Sequence, residues 1–274
     1  MKYNDFKWSH EDLVTQSRFV DLAKANSDTH VFIKTDYVEN RYISNTDNSD
    51  INALATIWDV NVNPMFPPKQ RNWITGNSDY HITELNSQPY TGSFDNWYGI
   101  NMGQSGPKFH TIPIGVETNQ MDVIYQVSQE PRILSTELAY MNFNVYTYVS
   151  ERAIVDLMFK DKSWVKNDIN NRLGISDFYR NVRNHKFTFC PRGNGVDTHR
   201  LWETLYLGSI PIVHEHPDME PFFSRLPVVK VKNWLNVTDN YLEMEYERIM
   251  EYDGWEFDML KMNYWKNFIL NKDA

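Results

Sequence analysis

Arg192, Gly193, Asn194, Gly195, Asp197, Thr198, His199, Arg200 and Glu203 crowd into one short stretch of the chain. Their types and order suit the binding of a small anion. Glycines let a ligand come close to the backbone and permit positive φ. Asp197 or Thr198 can cap a following helix, whose free N–H groups and positive dipole end then face the same loop. Two guanidinium groups, Arg192 and Arg200, can grip a diphosphate in bidentate fashion. Glu203, three residues after Arg200, shares its helix face and can accept hydrogen bonds from two ribose hydroxyls. A plainer account uses the same residues: a Gly-x-Gly turn is common, and an exposed Arg200–Glu203 pair contributes only ~0.2–0.5 kcal/mol. Arg152 stands near the start of an earlier helix, where it either reaches the phosphates across a crevice or lies on the surface.

Other candidates carry less. Asp36 follows a strand and Asp79 lies in a turn, with His81 behind them; either carboxylate can serve as a general base, although turn aspartates are commonly local caps. His214 and His216 flank Glu215 after a strand and share one face, but a third zinc ligand is lacking nearby, so Glu215 or His216 lining a sugar pocket is preferred. The single cysteine, Cys190, has no neighbouring base and is expected to pack at a strand end. No two aspartates stand two apart, so the Asp-x-Asp pair that often holds a divalent cation in sugar-nucleotide enzymes is missing. Arg side chains and helix N–H groups would then neutralise a departing diphosphate, without metal or cofactor.

The elements that must position these residues follow from hydrophobic pattern and punctuation. Strands are predicted at 30–35, 72–75 and 109–114, and a short helix over 50–60. In the second half the pattern predicts strands at 138–146, 186–190, 209–213 and 228–231. Helices are predicted over 150–159 with Ser150 as cap, 176–184 and 198–207, with Gly208 as C′ residue. The stretch 241–270 is helical, interrupted near Asp253 and Gly254. Alternation of strand and helix is the mark of a parallel, doubly wound sheet, and ligands bind at the carboxyl ends of such strands.

The net charge of −9, without any basic block, argues against nucleic acid as partner. No run approaches the ~18 apolar residues of a membrane span, and the first residues lack the apolar core of a signal peptide. One cysteine permits no internal disulfide, which fits a reducing compartment. A cytoplasmic protein without an integral membrane segment is expected, and the sequon at Asn236 is then chance.

Cys190-Pro191-Arg192-Gly193, Thr198 through Leu205 and Gly208-Ser209-Ile210-Pro211-Ile212-Val213 together resemble the donor-site segment of exostosin-like glycosyltransferases. Weaker echoes lie at Tyr140–Phe143 with Glu151-Arg152, and at residues 35–37, 76–80 and 112–115. The resemblance implies an α/β, GT-B-like architecture: two Rossmann-like domains with a cleft between them and C-terminal helices packing back. Residues 1–130 would form the acceptor-side domain and 131–274 the nucleotide-sugar-binding one. By position, Arg192, Arg200 and Glu203 would bind the donor. The implied activity is metal-independent transfer of a sugar from a nucleoside-diphosphate sugar, UDP by preference, to a hydroxyl of a glycan or related acceptor. The alternative is a non-catalytic nucleotide-sugar or glycan-binding module. The loop Asn194–Asp197 is more acidic and glycine-rich than in exostosins proper, so the sugar is not inherited.

Overall fold

The computed structural model of the chain describes residues 1–36, 72–90, 92 and 94–271. It is an α/β protein with two all-parallel sheets, of four and five strands. The chain separates into two compact units, one of Thr15–Ile114 with Lys266–Ala274, the other of Met1–Val14 with Gly115–Trp265. The helix predicted over 50–60 lies outside the described residues.

In the four-stranded unit, helix α1 (Gln16–Ala25) begins at Thr15, whose hydroxyl accepts from the Arg18 N–H. The strands are β1 (His30–Lys34), β2 (Asn72–Gly76), β3 (Asn96–Gly99) and β4 (Phe109–Thr111), side by side in chain order. Every strand in a parallel sheet has both faces to bury, which explains where the aromatic excess goes. Trp73 and Trp97 are fully buried and pack against Phe94 and one another, with ring centroids 5.2–5.3 Å apart. The Trp97 indole N–H is satisfied by the Thr75 hydroxyl at 2.9 Å. The strand predicted at 109–114 stops at Thr111, and β3 and α1 were not predicted.

The five-stranded unit carries α2 (Met121–Gln129), β5 (Ala139–Met141), α3 (Val149–Phe159), β6 (Val165–Asn167), α4 (Ile175–Asn184), β7 (Phe187–Phe189), α5 (His199–Tyr206), β8 (Ile210–His214) and β9 (Val229–Val231). Helices α6 (Asp239–Glu251) and α7 (Met262–Asn271) follow, with a 3-10 turn at Phe257–Leu260 between them. The strand order is β6-β5-β7-β8-β9, all parallel. The first strand of the unit thus lies between the second and the third. At that point connections leave in opposite directions, and the loops after β5 and β7 part to form a crevice, the usual ligand site of an open α/β sheet. This is a Rossmann-like arrangement. Among the described residues, no helix is long and apolar enough to cross a membrane.

Two local expectations need correction. The strand predicted over 138–146 ends at Met141, because the Asn144 side chain accepts from the Tyr146 N–H and folds the chain into a 3-10 turn. Helix α3 starts at Val149 with Tyr148 in the N-cap position and no side-chain cap, so Ser150 sits inside the first turn.

Gly208 does what its position predicts. Its φ is +78°, its N–H donates to Leu205 O at 3.2 Å, and the Ser209 N–H donates to Thr204 O at 3.1 Å. This paired closure satisfies the last carbonyls of α5 and turns the chain into β8. A Cβ at Gly208 would meet nothing nearer than Arg132 Nη1 at 3.6 Å, so the cost of Gly208→Ala is backbone strain alone. The variant should lose about 1–2 kcal/mol in urea unfolding. An unchanged midpoint would show that the left-handed turn is not needed.

Candidate functional site

The loop after β7 is drawn across the switch-point crevice by arginines. Arg152, on the first turn of α3, donates from Nε to Arg192 O at 2.8 Å and from Nη1 to Asn144 O at 2.9 Å. One guanidinium therefore bridges the loops that follow β5 and β7. Arg200, in the first turn of α5, donates from Nη1 to Asn142 O in the loop after β5. Arg192 lies over the Tyr148 ring, 4.5 Å from its centroid, and donates to Asn194 O at 3.0 Å. Arg152 and Arg200 thus both reach the loop after β5, while Arg192 binds within its own loop.

Their partners are mostly neutral. Among the described residues Arg152 and Arg192 form no ion pair with a carboxylate, and Arg200 has only Glu203 Oε2, 3.6 Å from its Nε. That Nε is buried and makes no hydrogen bond. Burial and then the like charge of Arg200 lower the pKa of Arg152, which registers the concentration of positive charge.

The glycines of the loop take no unusual torsion. Only Gly106, Gly115 and Gly208 take positive φ among the described glycines, so neither Gly193 nor Gly195 uses the left-handed region expected of them. A Cβ on Gly193 would stand 3.4 Å from Arg152 Nη2, with the methyls of Thr198 and Thr147 close behind. Gly193 is buried under these groups and its N–H donates to Gly195 O at 3.2 Å. Asn194 is exposed at the tip of the loop.

The start of α5 differs from the capping expected. Thr198 holds the N-cap position, but no side chain caps the helix there. Asp197 is buried and accepts from the Trp202 indole N–H at 2.7 Å. His199 points its Nδ1 at Gly115 O, 2.8 Å away, and its Nε2 lies 3.4 Å from Glu117 Oε2. Glu203 is only 7% exposed, and its Oε1 accepts from the Tyr179 hydroxyl at 2.9 Å. Leu201 and Leu205 are buried as the core-facing stripe predicts.

The other candidates lie elsewhere in the fold. Asp36 and Asp79 follow β1 and β2, neighbouring strands of the other unit. Asp36 pairs with Lys34 and accepts from the Ser78 hydroxyl, while Asp79 is exposed. His214 ends β8 and is exposed; among the described residues no three His, Cys, Asp or Glu side chains could share a metal ion. Cys190 is buried, and burial pushes its thiol up to about 12, so it packs as an inert group beside Thr204.

Three contributors escaped the sequence pattern: Tyr148, Phe178 and Tyr179 carry no local signal. Glu151, named in the sequence only beside Arg152 in a weak family echo, has a half-buried carboxyl beside Arg192, Thr198 and His214 around a small hollow at the ends of β7 and β8. Two guanidiniums stacked on rings, Arg192 on Tyr148 and Arg200 on Phe178, are pairings between distant positions that no local spacing shows.

Compared with known proteins, the sequence matches no protein-family model and no curated protein.

Glu151 supplies a pH test of the site. Its Oε1 is buried without a hydrogen-bond partner. Burial raises its pKa, offset in part by His214 and by the N–H and guanidinium of Arg192. A carboxyl with a raised folded-state pKa favours folding below its ordinary value, and that contribution is lost as pH rises through the raised one. The isosteric Glu151→Gln should therefore raise the melting temperature at about pH 8, and the gain should fade toward about pH 4. Equal gains at both pH values would contradict a buried charge.

Proposed function

We propose that the protein is a metal-independent glycosyltransferase whose five-stranded unit binds the diphosphate of a nucleoside-diphosphate sugar. The observation that carries this reading is that Arg152, Arg192 and Arg200 donate chiefly to backbone carbonyls of the loops after β5 and β7. A chain of net charge −9 has acidic groups to spare for neutralising surface arginines. Leaving Arg152 and Arg192 without a carboxylate ion pair among the described residues keeps their charge available to an anion. Arg200 stands in the first turn of α5, where helix N–H groups add to the field a diphosphate would meet.

The resemblance of residues 190–213 to the exostosin donor segment supports the sugar-nucleotide assignment over other phosphate ligands. In such an enzyme Arg192 and Arg200 hold the diphosphate and stabilise its charge as the glycosidic bond breaks. Glu203 accepts from the ribose. The GT-B arrangement that the resemblance implies assigns the acceptor to the four-stranded unit. There Asp36 or Asp79 would take the proton from the acceptor hydroxyl in an inverting transfer. UDP is the preferred nucleotide, and a glycan or related hydroxyl compound the acceptor.

Arg200→Ala should weaken UDP binding by ~1.5–3 kcal/mol, the range for a hydrogen bond to a charged group. UDP release from a UDP-sugar in the presence of acceptor should continue in EDTA. Unchanged UDP affinity in the variant would remove Arg200 from the site. Turnover lost in chelator and restored by manganese would overturn the metal-free mechanism. Binding without any release of UDP would reduce the protein to a nucleotide-sugar-binding module.

A further inference from the structure

A second hollow opens on the side of β5 away from β7. The loops after β5 and β6, together with α3, line a groove of about 590 Å³ at the carboxyl ends of those two strands. That volume falls within the ~300–1,000 Å³ of small-molecule sites. Three asparagines of the groove are each held by one end of the side-chain amide. Asn142 donates from Nδ2 to the Tyr140 hydroxyl at 3.1 Å, and Asn171 donates from Nδ2 to Asp168 Oδ1 at 2.8 Å. Asn144 is held the other way round, its Oδ1 accepting from the Tyr146 N–H at 3.0 Å. Two amide oxygens and one amide nitrogen are thus left over, each fixed in direction by the bond at its other end.

The charged groups of the groove balance. Asp156 of α3 is half-buried and Arg172, after β6, is exposed; among the described residues neither side chain makes an ion pair or a hydrogen bond. Tyr146, on the loop after β5, is 87% exposed.

We propose that this groove binds a neutral oligosaccharide of a few sugar units. One carboxylate and one guanidinium cancel, so the groove attracts no anion, unlike the arginine-rich crevice on the other side of β5. A sugar hydroxyl both donates and accepts, and each kind of partner is present here in a fixed place, which lowers the entropic cost of binding. The C–H faces of a sugar ring pack on an aromatic ring, and a tyrosine offers that area with little side-chain freedom to lose. A nucleobase, with a single polar edge, would leave most of these groups unpaired. The site stands independently of the nucleotide reading of the crevice, because it shares neither its arginines nor its loop after β7.

Calorimetric titration of maltotriose, cellotriose, triacetylchitotriose and UDP into the full chain tests the proposal. At least one trisaccharide should bind, with Kd of about 0.1–1 mM as suits an open groove. Tyr146→Ala should weaken that binding about 3–10-fold and Asp156→Asn about tenfold, while UDP affinity stays within about twofold. Both substitutions spare the fold, since neither side chain makes a hydrogen bond, and a thermal scan checks this. Absence of binding by all three trisaccharides overturns the proposal, as does a trisaccharide affinity unchanged in both variants. Loss of UDP affinity in Tyr146→Ala without any trisaccharide binding places the nucleotide in the groove and overturns it too. A wild type that binds a trisaccharide through Tyr146 and Asp156 but not UDP upholds the proposal and removes the nucleotide reading alone.

Discussion

Bonds from guanidinium groups to backbone carbonyls hold the crevice between β5 and β7 in shape. Arg152 ties Asn144 O to Arg192 O, and Arg200 reaches back to Asn142 O. A loop that follows a parallel strand has carbonyls with no ladder partner, and these must be satisfied somewhere. Arginine meets the need with several donors in a fixed plane, where water or a side-chain amide would satisfy one group at a time. The same choice concentrates positive charge at the switch point, where open α/β sheets usually bind ligands. Structure and electrostatics therefore come from one set of contacts, and removing an arginine disturbs both.

The contacts also explain the particular residues of the segment. Arg152 passes over Gly193, at ordinary contact distance from where a Cβ would stand. Arg192 is flanked by Tyr148, whose ring supports its planar head. Asp197 accepts from the Trp202 indole N–H, which anchors the first turn of α5 to the core. Helix α5 then ends in the Gly208 turn that delivers β8 into the sheet beside β7.

The unit from β7 to β8 was legible in the sequence almost to the residue, because each signal agreed with the next. An apolar run stops at a proline, glycines open a loop, a helix shows a buried stripe, and a glycine closes it. Elsewhere the signals were too weak or were overruled. β6 spans three residues, Val165–Asn167, two of them polar, and it exists as a strand because β5 pairs with it. β3 is an Asn-Trp-Tyr-Gly segment whose strand character comes from parallel neighbours on both sides. Leu138–Tyr146 reads as one extended run, but Asn144 turns it, and a side chain bonding to its own local backbone is hard to foresee from hydropathy. Within the site, the charged residues could be named from the segment itself, whereas Phe178, Tyr179 and Tyr148 could not. Their roles depend on which helices the sheet order places side by side.

The most direct measurement is a crystal structure of the chain with UDP soaked or co-crystallised. The diphosphate is predicted to lie in the switch-point crevice, within hydrogen-bond distance of the Arg192 and Arg200 guanidiniums and against Gly193, with the ribose toward Glu203. A nucleotide bound elsewhere on the molecule, with Arg200 still resting on Asn142 and an empty crevice, would contradict the account.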